Sequence, residues 1–186
     1  MELISGGTLK DMIKDSNNLN SAKGLEYLVT VCQTLDFVSG KNIIHRDIKP
    51  ENIMITDDGI LKVVDFGVAI VNDGKNKKGK SENLVGSPYY VSTDCIKGLP
   101  LDSRSDIYSL GATFYHVFAG MPPFEGDNVE DVLLKHLNCD LVPLKKKNPT
   151  VSNWLSDIIA KMMAKNPEDR YQGYKDIIAD LDLLMH

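Results

Sequence analysis

The stretch from Ile43 to Gly67 constrains this chain more than any other. Three short apolar runs, Ile43-Ile44, Ile53-Met54-Ile55 and Leu61 to Val64, enclose a dense set of polar residues. Those residues are His45-Arg46-Asp47-Ile48-Lys49-Pro50-Glu51-Asn52 and, beyond the third run, Asp65. Runs this short and rich in Ile and Val predict small strands. Asp57-Asp58-Gly59 is a strong turn signal between the second and third runs, so the two predict a hairpin. Such a hairpin returns the chain on itself and brings Asp65 beside Asn52.

Helical spacing governs most of the rest. Leu25, Leu28, Val29, Cys32, Leu35 and Val38 mark an amphipathic helix over roughly residues 21–39, with Gly40 as its stop. Gly6-Gly7 separates a short extended start from a helical stretch near 8–15. Further helical patterning lies near 103–119, 128–138, 152–165 and 174–185. The third of these places Trp154, Leu155, Ile158, Ile159, Met162 and Met163 on one side. The fourth does the same with Tyr174, Ile177, Ile178, Leu181 and Leu184. Both stripes read as core. Residues 72–83, NDGKNKKGKSEN, have no apolar period and read as a mobile loop. With no internal repeat and no low-complexity linker, the pattern is one mainly α domain with a few short β-hairpin strands.

Composition narrows the function classes. The 186 residues are 42% hydrophobic and 25% charged, enough apolar material for one core. A net charge of −5 argues against a general affinity for nucleic acid or anionic membrane. Cys32, Cys95 and Cys139 are odd in number, widely spaced and free of any CxxC pattern. They read as reduced thiols and point to a cytoplasmic setting. His45, His116, His136 and His186 are too scattered to suggest a metal site. No apolar run is long enough to span a bilayer. The first residues, MELISGGTLKDMIKD, lack a signal-peptide layout and read as the interior of a domain.

The residue types between His45 and Asp65 suit phosphoryl transfer. That reaction needs a carboxylate to orient the attacking hydroxyl and take its proton. It also needs oxygen ligands that hold magnesium against the triphosphate, and a cation for the phosphoryl oxygens. Asp47, the pair Asn52 and Asp65, and Lys49 are the right types for these three tasks. The eight-residue segment His45–Asn52, with Asp65-Phe66-Gly67 beginning thirteen positions after Asn52, resembles the catalytic loop and DFG motif of the protein kinase family. Lys49-Pro50-Glu51-Asn52 is similar to the serine/threonine class.

The resemblance runs the length of the chain. Met1 to Leu9 resembles the hinge between the lobes and the helix after it. It implies that the backbone of Glu2 and Ile4 binds adenine, with Met54 beneath the ring. Gly86-Ser87-Pro88-Tyr89-Tyr90 is similar to the end of the activation segment, where a peptide docks. Asp106-Ile107-Tyr108-Ser109-Leu110-Gly111 resembles the start of the central helix, whose aspartate accepts backbone hydrogen bonds from the catalytic loop. Pro122-Pro123-Phe124 and Asn166-Pro167-Glu168-Asp169-Arg170 match later landmarks, and the texture of DSRSDIYSLG is closest to bacterial members. The resemblance therefore implies the C-terminal lobe of a kinase over residues 1–186. It implies ATP and Mg2+ as cofactors, Asp47 as base and Lys49 as phosphate contact, with Asn52 and Asp65 on the metal. The partner it implies is a protein carrying a Ser or Thr acceptor.

Other residues carry two readings each. His45 reads as a packing residue and not a general base. Arg46 reads as a clamp for a phosphate on the activation loop or as a solvated cation. Glu51 reads as a contact for a basic substrate residue or as structural. The lysines at 75, 77, 78 and 80, and Lys145 to Lys147, read as solvated, with nucleic-acid binding the minor alternative. Ser81 is a candidate phosphosite or an unmodified loop serine. Val68, β-branched after the DFG, implies threonine preference.

Departures from the family pattern are also legible. Ser92-Thr93-Asp94 stands where Ala-Pro-Glu is usual, so the ion pair from Asp94 to Arg170 is expected to survive but to be stretched, shifted or bridged differently. Thr93 in place of proline is expected to loosen the substrate platform. Ser87, in place of threonine, keeps a hydroxyl to bridge Asp47 and Lys49. No GxGxxG and no VAIK-like segment occurs among the 186 residues. The N-terminal lobe is expected to be absent, with ATP binding and turnover impaired. A non-catalytic, protein-binding remnant and a small-molecule kinase of related fold are the alternatives.

Overall fold

The computed structural model describes residues 6–15, 21–66, 69–71 and 87–185. The expectations resting on Glu2, Ile4, Gly67, Val68, Ser81, Gly86 and the 72–83 loop lie outside those residues, as do the side chain of Leu184 and His186.

The predicted hairpin forms. Strand β3 (Ile53–Thr56) pairs antiparallel with β4 (Leu61–Val63) in the register Ile53↔Val63, Met54↔Lys62, Ile55↔Leu61. The turn between them closes with Gly59 at φ +81° and Gly59 N–H donating to the Thr56 carbonyl at 2.8 Å. Strand β1 (Gly6–Thr8) adds antiparallel to β3. Gly6 and Gly7 are thus inside a strand and do not merely separate two elements. Gly6 has φ +134°, and a Cβ there would sit 2.0 Å from the Ile55 carbonyl oxygen, so no larger residue fits this approach. A second, two-stranded sheet joins β2 (Ile43–Ile44) to β5 (Ile70–Val71). Two residues are too few for a periodicity to announce, which is why β5 was not anticipated.

Helices make up the body of the domain. They are α1 (Leu9–Lys14), α2 (Ser21–Ser39), α3 (Thr93–Ile96), α4 (Ser103–Ala119), α5 (Val129–Asn138), α6 (Leu144–Lys147), α7 (Asn153–Met162) and α8 (Tyr174–Met185). Side-chain caps explain several starts. Thr8 and Asp11 form a capping box on α1, while Asp102, Asn128 and Ser152 accept from the first turns of α4, α5 and α7. Helix α4 is the centre: every residue from Ser105 to Tyr115 is buried. It packs against α2, α6 and α7, and α8 closes the bundle against α2 and α7. No helix among the described residues is long and apolar enough to cross a membrane.

Two expectations need correction. Trp154 is 49% exposed and not in the core. Leu155, Ile158, Ile159 and Met162 form the buried stripe of α7, and Trp154 lies about 100° round the helix from Leu155. Lys145 is not simply solvated. Its Nζ donates to the carbonyls of Pro149 at 2.8 Å and Val151 at 2.6 Å, closing the turn after α6.

Close packing at Gly111 joins α4 to α7. A Cβ at this position would lie 2.9 Å from Met162 Cβ and 2.9 Å from Met163 Cγ. Gly111→Val should therefore lower unfolding free energy by about 2 kcal/mol in denaturant titration. An unchanged midpoint would mean the helices are not in this contact.

Candidate active site

The polar residues after β2 are held by a buried carboxylate. Asp106, in the first turn of α4 and 3% exposed, accepts the backbone N–H of His45 at 2.7 Å and of Arg46 at 2.8 Å. Burial pushes the Asp106 carboxyl up to about 6, against the two backbone bonds and the nearby Arg46 charge that favour ionisation. Both of its oxygens act as acceptors, as those of an ionised carboxylate do. Arg46 sits at φ +68°, in the left-handed region. Thr113 of α4 adds a hydrogen bond to the Ile48 carbonyl at 3.4 Å.

That support orients three polar side chains. Lys49 Nζ lies 2.6 Å from Asp47 Oδ2, an ion pair that is only partly exposed. Asn52 Nδ2 donates to the same Oδ2 at 2.9 Å and to the Asp47 carbonyl at 2.8 Å. Asp47 is therefore held from both sides. With its NH2 turned to Asp47, Asn52 keeps Oδ1 as its oxygen donor for a cation. Asn52 and Asp65 come together as the hairpin requires, because Val64 N–H donates to the Asn52 carbonyl at 2.9 Å. Asp65 itself is exposed at φ +64°. Met54, on β3, is half-buried in the same sheet.

His45 is fully buried. Its Nε2 is 3.1 Å from the Val64 carbonyl, which can only accept, so Nε2 carries the proton and Nδ1 accepts Asp47 N–H at 3.3 Å. Burial lowers its pKa against the Val64 bond and the charges of Asp47 and Asp65. The ring also packs on Phe66 at 4.5 Å between centroids. It positions both halves of the site and has no free nitrogen for base catalysis. Glu51 pairs with Lys10 at 2.6 Å, a partner that sequence distance concealed. Among the described residues no group of three or more His, Cys, Asp or Glu could hold a metal unaided. The Asn52 and Asp65 oxygens instead fit magnesium, which keeps waters and phosphate oxygens in its shell.

Residues 87–96 form the opposite wall. Ser87 lines one small cavity with Arg46 and Asp47. Buried Tyr90 places its hydroxyl 2.8 Å from His116 Nδ1 on α4. The Asp94–Arg170 pair survives as expected and is not stretched: Oδ1 lies 2.7 Å from Nη2, with both residues buried. Burial alone would raise the Asp94 pKa; the Arg170 charge, with hydrogen bonds from Ser105 and Arg170, outweighs it and holds the carboxyl below its usual value. Neither the Ser105 bond nor the Tyr90–His116 contact had a signal in the sequence.

Comparison with known proteins shows the family. The sequence profile described as protein kinase domain matches residues 1–180. A protein of Clostridium perfringens, named a probable serine/threonine-protein kinase, is 39% identical over 182 residues, covering 98% of this chain and 26% of that protein. The serine/threonine-protein kinase PknB of Mycobacterium tuberculosis is 37% identical over 182 residues, covering 97% of this chain and 29% of that protein. A probable serine/threonine-protein kinase of Clostridium acetobutylicum is 36% identical over 181 residues, 97% of this chain and 27% of that protein. The chain thus spans less than a third of the length of each of these relatives.

His136 lies on α5, beneath the 87–90 wall. Tyr108 hydroxyl is 2.8 Å from its Nδ1, while Nε2 makes no hydrogen bond of good geometry among the described residues. Burial and then the Lys165 charge push its pKa down to about 4, although the backbone of Tyr89 and Pro88 favours the protonated form. A histidine depressed on folding contributes stability above its unfolded pKa near 6.5, and that contribution is lost as pH falls toward 4. Between pH 7 and 4.5 the wild type should lose about 2 kcal/mol more than His136→Gln. Parallel pH–stability curves would remove His136 as the cause.

Proposed function

The chain belongs to the protein kinase domain family, and from that premise we propose that it transfers the γ-phosphoryl group of ATP to serine or threonine hydroxyls of a protein substrate. The observation that carries this reading is the fixing of Asp47 Oδ2 between Lys49 Nζ at 2.6 Å and Asn52 Nδ2 at 2.9 Å. Asp47 orients the acceptor hydroxyl and takes its proton as the oxygen attacks. Lys49, already beside that carboxylate, offers its charge to the phosphoryl oxygens. Asn52 Oδ1 and Asp65 would hold Mg2+, which supplies charge neutralisation at the β- and γ-phosphates. Ser87, which lines a cavity with Asp47, and the 87–90 wall would receive the peptide.

Residues 1–186 correspond in this reading to the C-terminal lobe. Met54, with the backbone of Glu2 and Ile4, would form the adenine site. The glycine-rich loop and strand lysine that cover the phosphates in this family have no counterpart among these residues. Full turnover therefore requires those groups from an N-terminal lobe. Arg46 would meet a phosphorylated activation loop, and a cytoplasmic setting fits the three free thiols.

Transfer of label from γ-labelled ATP to a protein acceptor tests the assignment. Asp47→Asn should lower the rate by on the order of 10²- to 10⁴-fold with the fold intact. Asp65→Ala should abolish the magnesium dependence of nucleotide binding, measured by calorimetry. Equal rates in wild type and Asp47→Asn would rule Asp47 out as the base. Identical magnesium dependence in wild type and Asp65→Ala would remove Asp65 from the metal site.

A further inference from the structure

Thr93 stands where the kinase pattern usually has proline, and its side chain is buried, at 1% exposure. Its Oγ1 donates to the Lys165 carbonyl at 2.6 Å and accepts from Arg170 Nη2 at 2.9 Å. Both capacities of the hydroxyl are used, and both partners lie in the connection between α7 and α8. Each guanidinium nitrogen of Arg170 is engaged: Nη2 donates to Asp94 Oδ1 at 2.7 Å, Nη1 to the Arg104 carbonyl at 2.8 Å and Nε to the Ala164 carbonyl at 2.8 Å. Ser105 donates to the other Asp94 oxygen.

Arg104, Ser105 and Asp106 are consecutive in the first turn of α4. The first receives Arg170, the second holds Asp94, and the third holds the backbone of His45 and Arg46. The wall beginning at Ser87 and the loop bearing Asp47 are thus referred to one rigid turn. Thr93 and its neighbour Asp94 are where the wall enters that network. A proline would restrict the backbone there through its ring; a threonine leaves the backbone freer but adds a side-chain tether.

We propose that Thr93 is a positioning residue whose hydroxyl holds the segment 87–92 in register with the catalytic loop. It touches no substrate and no reacting atom. Its structural effect is independent of the reaction; its kinetic effect rests on the phosphoryl-transfer reading above.

Hydrogen exchange followed by mass spectrometry tests this on Thr93→Val, which keeps the shape, on Thr93→Ser, which keeps the hydroxyl, and on Thr93→Ala in case valine impairs folding. Ile158→Val serves as a control for general loosening of the core. Thr93→Val and Thr93→Ala should raise exchange across 87–98 by about fivefold to tenfold while α7 and α8 stay protected. Thr93→Ser should match wild type. With a peptide acceptor, KM for peptide should rise by a similar factor while KM for ATP holds. Unchanged exchange in the valine and alanine variants would overturn the proposal, as would loosening spread evenly as in Ile158→Val, or a serine variant that behaves like valine. Should exchange respond as expected while no variant or wild type transfers phosphate, the tether stands and the catalytic reading falls.

Discussion

The carboxylate of Asp106 is the interaction on which the site depends. A buried aspartate is costly unless its oxygens are satisfied, and here the His45 and Arg46 backbone amides satisfy one each. Those same bonds hold Arg46 at φ +68°, a conformation that costs a non-glycine residue on the order of 1–3 kcal/mol. The loop is thereby forced to turn at Arg46 and to set Asp47 beside Lys49 and Asn52. Charge-assisted bonds of this kind contribute about 1.5–3 kcal/mol each, enough to offset the backbone strain. Without the carboxylate, nothing else in α4 reaches these two amides among the described contacts.

The first turn of α4 has a wider role because its neighbours in sequence serve other parts of the site. Tyr90 fixes the 87–96 wall to the far end of the same helix through His116, and Asp94 with Thr93 fixes it to the near end through Ser105 and Arg170. The shorter acid at position 94 loses nothing, since its second oxygen is taken by Ser105. A buried ion pair is weak evidence for stability, yet breaking one partner typically costs about 3–5 kcal/mol. Such a network favours one geometry over alternatives, and catalysis by positioning requires that.

Much of this was legible in the sequence. The hairpin followed from Asp57-Asp58-Gly59 between two apolar runs, and the bounds of α2 and α4 followed from helical spacing alone. The grouping of Asp47, Lys49 and Asn52 was expected from their residue types and from the resemblance of His45–Asn52 to a kinase catalytic loop. What was not legible depended on contacts between residues distant in sequence. Lys10 on Glu51, Tyr90 on His116 and Ser105 on Asp94 have no local pattern. Thr93 was expected to loosen the wall because only the lost proline ring could be read; its hydroxyl's partners, Lys165 and Arg170, lie more than 70 positions away. Trp154 was misassigned for the opposite reason: helical spacing allowed it a place at the edge of the stripe, and packing excluded it.

The dependence on Asp106 can be measured at the two amides themselves. In exchange followed by NMR, the His45 and Arg46 N–H groups should be protected to the level of the α4 core. In Asp106→Ala both should exchange at rates near those of an open loop while α4 and α7 remain protected. If the two amides exchange rapidly in the wild type, or stay protected in Asp106→Ala, the carboxylate does not hold the loop and the account built on it fails.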